Sequence, residues 1–112
     1  MTIVHVAKDY TRHPAGRFKK DGPYNGETFR KRFLEPPLLA GERLTVMLDG
    51  VRGYGSSFLE EAFGGLIRAG LSLTMLRDNL VLQGDSGYVS EAWSAMRDAE
   101  VAARLRRTAM AH

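Results

Sequence analysis

Ser56 and Ser57 stand side by side where a glycine-rich turn runs into a helix-forming stretch. Hydroxyls at such a junction sit where backbone N–H groups are unpaired and the helix dipole is positive. That setting suits an anion, a phosphoserine or a partner's carboxylate. Ahead of the serines come Asp49 and the turn Gly50-Val51-Arg52-Gly53-Tyr54-Gly55. After them, Ser57 and Glu60 have the Ser-x-x-Glu spacing of a capping box. One serine can cap the helix while its neighbour stays exposed as a phosphoacceptor. A phosphate there adds about −1.5 to −2 charges, which the helix start tolerates and a bound partner feels. Glu60 and Glu61 partly oppose that charge.

Other chemistry can be tested on the same residues. Gly53-Tyr54-Gly55 begins a GxGxxG pattern, but Phe58 stands where the third glycine belongs. A P-loop needs a lysine that Gly55-Ser56-Ser57 lacks. A nucleophile elbow needs Gly-x-Ser-x-Gly, which Gly55-Ser56-Ser57-Phe58-Leu59 does not supply. His5, His13 and His112 fall in a strand, a loop and a loose end, with no metal-ligand spacing among them. No cofactor or metal is expected, and the chain does not read as an enzyme. A small enzyme using Ser56 with Asp49 or His13 stays open as an alternative, provided a base reaches the serine.

The elements that hold the junction follow from the pattern. Leu44-Thr45-Val46-Met47-Leu48 is nearly all apolar and reads as an interior strand covered on both faces. Leu59, Ala62, Phe63, Leu66 and Ile67 form one apolar stripe at helical spacing, and Gly70 is a natural stop. Gly64-Gly65 inside that helix costs up to about 1 kcal/mol each relative to alanine, which points to a close approach by another backbone or a partner. Ile3 to Ala7 reads as a first strand, and Ala15 to Lys19 as a short strand paired back on it. A helix starts near Asn25, with Phe29 and Phe33 on one face, and Pro36-Pro37 is expected to stop it with Glu35 outside helical geometry. Ser72 to Asn79 is a short helix or turn, and Leu80-Val81-Leu82 a last strand. A final helix from Ser86 or Ser90 carries Val89, Ala92, Trp93, Met96, Ala99 and Ala103 on one face. It is expected to fray into a basic tail from about Arg104. Strands 44–48 and 80–82 flank a helical connection and can be parallel.

The totals bound the rest. A chain of 112 residues is one domain, 1–112, with one modest core. Without cysteine, thiolate catalysis and Cys-type zinc sites are excluded, and a reducing compartment fits. No apolar run approaches the roughly 20 residues that span a bilayer. Met1 to Val6 lacks the pattern of a signal peptide, so a cytoplasmic protein is expected. The net charge of +3 is mild, with basic residues at Arg12, Arg17, Lys19, Lys20, at Arg30-Lys31-Arg32 and at Arg104, Arg106, Arg107. A nucleic-acid-associated module using these clusters is a second alternative.

Two blocks carry a family resemblance. They are Gly22-Pro23-x-x-Gly26-Glu27-x-Phe29-Arg30 and Ser56-Ser57-Phe58-Leu59-Glu60-Glu61-Ala62-Phe63-Gly64-Gly65-Leu66. With the strand 44–49 they resemble the STAS domain of sulphate transporters and anti-sigma-factor antagonists, and more closely a STAS-like family of unknown function. The resemblance spans Val4 to Ala99. It implies a small α/β domain with a mixed sheet of about four strands and helices packed on it. It also implies a regulatory domain that binds a protein partner, an ATPase or kinase of the histidine-kinase type. The phosphoacceptor would be Ser56, with Ser57 beside it. The family's Asp-Ser-Ser-Gly is here Gly55-Ser56-Ser57-Phe58. The partner-binding surface would comprise Asp49, Gly53, Tyr54, Gly55, Glu60 and Glu61, with Tyr54 as aromatic anchor. Arg17 and Arg30 would pair with a phosphate or an acidic group of the partner.

Overall fold

The computed structural model describes residues 1–110; His112 lies outside them. Strands β1 (Thr2–His5), β2 (Leu44–Met47) and β3 (Leu80–Gln83) form one sheet in the order β1-β2-β3, and both pairings are parallel. Register sets Val4 against Val46 and Val46 against Leu82. The sheet therefore has three strands, all parallel, where a mixed sheet of about four was expected. Residues 15–19 form no strand. Gly16 and Arg17 instead present their carbonyls to the first N–H groups of a helix, those of Gly26 and Glu27, each at 3.0 Å. A helix start leaves such donors unpaired, and this loop satisfies them.

That helix, α1, spans residues 26–39, in the sequence Gly26–Phe29, Arg30–Leu34, Glu35–Leu39. Asn25 caps it, its side chain accepting from Thr28 N at 2.8 Å, as its residue type predicts. Pro36-Pro37 does not stop it. Arg30–Leu34 is a wide turn of the π type, in which the Glu35 N–H bonds to the Arg30 carbonyl. The two prolines then fall in the first turn of Glu35–Leu39, where a missing N–H costs nothing. Glu35 is helical, at φ −65° and ψ −46°.

Helix α2 spans residues 56–68 and also contains a wide turn, Glu60–Gly64, between Ser56–Leu59 and Gly65–Arg68. Its stripe of Leu59, Ala62, Phe63, Leu66 and Ile67 is buried as expected. Gly70 ends it at φ +106°, a conformation that favours glycine. Helix α3 (Leu73–Asn79) opens on Ser72, whose hydroxyl accepts from Met75 N at 3.1 Å. Helix α4 (Ser86–Met110) opens on Asp85, whose carboxylate accepts from Gly87 N at 2.9 Å. It continues as helix through Arg104–Arg107, where fraying was expected. Alanine, leucine and arginine are strong helix formers, and Arg104 pairs with Glu100 one turn back at 3.0 Å.

The core lies between one face of the sheet and the helices. Val4, Leu44, Val46 and Leu80 point into it, against Phe29, Phe58, Phe63 and Leu66. The opposite face is not covered. Alternate residues along each strand face outward. Ile3 is 52% exposed and Val81 38% exposed, so β2 is sheltered on one side rather than two. Both strands beside it are short edges, and no described helix crosses behind them.

Candidate functional site

The site is the run from the end of β2 to the first turns of α2. Asp49 follows β2 and is exposed. Its carboxylate accepts from Asp85 N at 3.0 Å, which ties the end of β2 to the start of α4. The turn then returns to the helix through Gly53, Tyr54 and Gly55. Gly55 is the N-cap residue, at φ −71° and ψ 144°, and no side chain caps the helix. The Gly55 carbonyl accepts from Phe58 N at 3.1 Å. Ser56 and Ser57 therefore occupy the first two helical positions. The capping box expected from Ser57 and Glu60 does not form, because the N-cap is Gly55 and the helix begins two residues too early for it. Ser56 is exposed and Ser57 half-buried.

Tyr54 does not project. Its hydroxyl donates to the Leu48 carbonyl at 2.7 Å, and its ring packs on Phe58 and edge-on to Tyr88. Burial, then the nearby Asp49 and Tyr88, push its phenol well above the usual tyrosine value. Tyr54 shapes the turn from inside instead of standing out as an anchor.

Behind Ser56, charged residues from three segments meet. Glu60 pairs with Arg17 of the 15–25 loop and with Arg68, the latter at 2.7 Å. Glu61 pairs with Arg68 at 3.2 Å and with Arg30 at 2.6 Å. Arg30 also binds Glu35 at 2.8 Å. Three arginines and three glutamates alternate, so the cluster is neutral as a whole. Burial raises the Glu60 carboxyl, but hydrogen bonds from Arg68 and Arg17 outweigh it and hold that carboxyl below the ordinary value.

The cluster divides the expected site residues. Arg30 and Glu61 are 7% and 6% exposed, so they bind each other inside the fold and are not presented to a partner. Arg17 is half-buried against Glu60. Asp49, Gly53, Gly55, Ser56 and the Glu60 edge remain at the surface or near it. Arg68 was not singled out from sequence, although it stands seven and eight residues after Glu61 and Glu60, on the same side of the helix.

The glycines explain how the segments come so close. A Cβ on Gly65 would overlap the Arg30 guanidinium. One on Gly64 would lie 3.2 Å from the Ala95 carbonyl of α4. One on Gly26 would lie 2.6 Å from the Phe58 carbonyl of α2. The expected close approach at Gly64-Gly65 is therefore made within the chain, by α4 and by Arg30.

Close packing at Gly64 and Ala95 brings α4 alongside the start of α2. A groove of about 180 Å³ runs between them, lined by Ser56, Glu60, Glu91, Ser94, Ala95 and Asp98. The α4 carboxylates lie more than thirty residues from Ser56 in sequence, and no local pattern joins them. Among the described residues no group of three or more His, Cys, Asp or Glu side chains is placed to hold a metal, and no helix is long and apolar enough to cross a membrane.

A one-sided parallel sheet carrying a strand–glycine turn–helix junction defines a small α/β domain. The chain belongs to the STAS-like domain family of unknown function (DUF4325), whose model matches residues 25–89, more than half of its length. No curated protein and no solved structure matches it. The matched stretch runs from the cap of α1 to the first turn of α4 and includes Ser56.

Proposed function

We propose that the chain is a non-catalytic, cytoplasmic regulatory domain that binds a protein partner through the start of α2 and the turn before it. The partner we favour is an ATPase or kinase of the histidine-kinase type, with Ser56 as its phosphoacceptor. The observation that carries this reading is the state of Ser56. It occupies the first position of α2, it is exposed, and Gly55 rather than a serine caps the helix. Capping therefore does not account for this serine. A phosphate on Ser56 would meet the favourable end of the α2 dipole. It would also face Glu60, whose charge Arg17 and Arg68 already offset. Phosphorylation would thus alter the surface charge without breaking the fold.

The experiment is a pull-down from the source cells with wild type and Ser56→Asp, read by mass spectrometry with phosphosite mapping. The expected result is an ATPase held by wild type and lost by the variant. A folded Ser56→Asp protein that retains every wild-type partner overturns the switch.

A further inference from the structure

The surplus positive charge of this chain lies in its first third. Residues 1–33 hold eight Lys or Arg against three Asp or Glu, whereas the rest of the chain holds eight against ten. The fold then divides these cations. Glu60, Glu61 and Glu35 take up Arg17 and Arg30, and Glu27 takes up Lys31 at 3.3 Å. Arg12, Lys20 and Arg32 are exposed and have no ion pair among the described residues.

Aromatic rings lie among these three cations. Tyr24, Tyr10 and Phe33 form a row, with ring centroids 5.7 Å and 5.6 Å apart. Phe29 and Phe58 back Tyr10 from the core. Tyr24 is 46% exposed, and Tyr10 and Phe33 are half-buried, so the row is held from behind and open in front. The Arg32 guanidinium lies over Phe33, 4.9 Å from the ring centroid. Burial raises the Tyr10 phenol, and the charge of Arg32 opposes that rise, which places Arg32 beside Tyr10 as well. Lys20 shares the 15–25 loop with Tyr24. Arg12 follows Tyr10 by two residues, and its carbonyl accepts from Arg52 N at 2.9 Å, which fixes its backbone.

We propose that this strip binds single-stranded nucleic acid, with Tyr24 stacking on a base and Arg12, Lys20 and Arg32 meeting phosphates. A single strand offers unstacked bases and regularly spaced negative charge together, and the strip answers both. A duplex keeps its base faces against one another and gives the rings nothing to stack on. A proline-rich peptide would use the rings and leave the cations idle. An acidic peptide would use the cations and leave the rings idle. None of these six residues lines the groove beside Ser56, so the strip stands apart from the switch proposed there.

Fluorescence anisotropy of labelled oligothymidylate, about 15 nucleotides long, tests this on the purified chain. With three phosphates neutralised, log K should fall against log salt with a slope of about −2, a loss of about twentyfold between about 50 mM and about 200 mM salt. Arg32→Gln should reduce that slope by about 0.7. Tyr24→Ala should weaken binding about tenfold and leave the slope unchanged. Both positions are exposed, and circular dichroism checks that the variants fold. Arg104→Gln removes a cation that Glu100 already pairs and should change neither affinity nor slope. No binding at about 50 mM salt overturns the proposal. So does a folded Tyr24→Ala protein that binds like wild type, or a duplex of the same length that binds as well as the single strand. Displacement of the strand by polyglutamate of equal charge also overturns it, by making the strip a site for acidic peptide.

Discussion

Arg30 and Glu61 meet inside the protein at 2.6 Å, each more than nine-tenths buried. The same guanidinium nitrogen donates to the Glu61 carbonyl at 2.7 Å. The pair joins the wide turn of α1 to the wide turn of α2. The two helices are thus joined by a charge pair that the solvent barely reaches.

Removing one partner leaves the other charged and buried. Arg30→Ala or Glu61→Ala is expected to lower stability by about 3–5 kcal/mol. Replacing both together, as Arg30→Met with Glu61→Leu, is expected to cost less than either single change. Urea denaturation of the three variants against wild type checks the ordering.

Glu60 carries a pH signature. Its folded carboxyl lies below the ordinary value of 4.5, so its contribution is full above that value. It is lost as pH falls through the lower, folded value. The stability difference between wild type and Glu60→Gln should therefore be present at neutral pH and vanish in strong acid. Denaturation midpoints measured down the pH scale show whether it does.

Cap positions separate structural from free side chains. Asn25→Ala removes an oxygen that accepts from Thr28 N at 2.8 Å and should cost about 1 kcal/mol. Ser56→Ala removes no cap and should change stability by no more than about 0.5 kcal/mol. Equal losses at both positions, read from thermal unfolding, would mean that Ser56 supports the helix after all.

Glycines differ by what faces them. Gly26→Ala drives a methyl to 2.6 Å from a backbone carbonyl that cannot step aside, and should cost about 1–3 kcal/mol. Gly53→Ala meets only the Tyr88 hydroxyl, at an ordinary 3.7 Å, and should be close to neutral. Chemical denaturation of the two variants gives the comparison.

Tyr54 is held by a hydrogen bond to the Leu48 carbonyl. Tyr54→Phe should cost about 1 kcal/mol. Because the folded phenol lies above its usual value of 10.0, its contribution persists below that pH and is lost as pH rises through the folded value. The wild-type stability advantage over the phenylalanine variant should therefore shrink in strong alkali, as followed by denaturation at rising pH.

Local pattern was enough for the parts of this protein whose cause is local. Asn25 caps α1 through its own side chain, the 59–67 stripe has one buried face, and Gly70 ends α2 with a positive φ. The central strand follows from residues near one another in the chain. The family likewise rests on motifs that can be read in order. What depended on distant residues needed the tertiary structure. Pro36-Pro37 continues a helix because a wide turn precedes it, and that turn packs against the matching turn of α2. The 15–19 segment gives its carbonyls to α1 and so leaves the sheet with three strands. Arg30 and Glu61 look like surface charges in sequence, yet glycines at 26, 64 and 65 draw the helices close enough to bury them. The α4 carboxylates reach the groove beside Ser56 for the same reason: contact between helices is set by shape and packing, which no single segment contains.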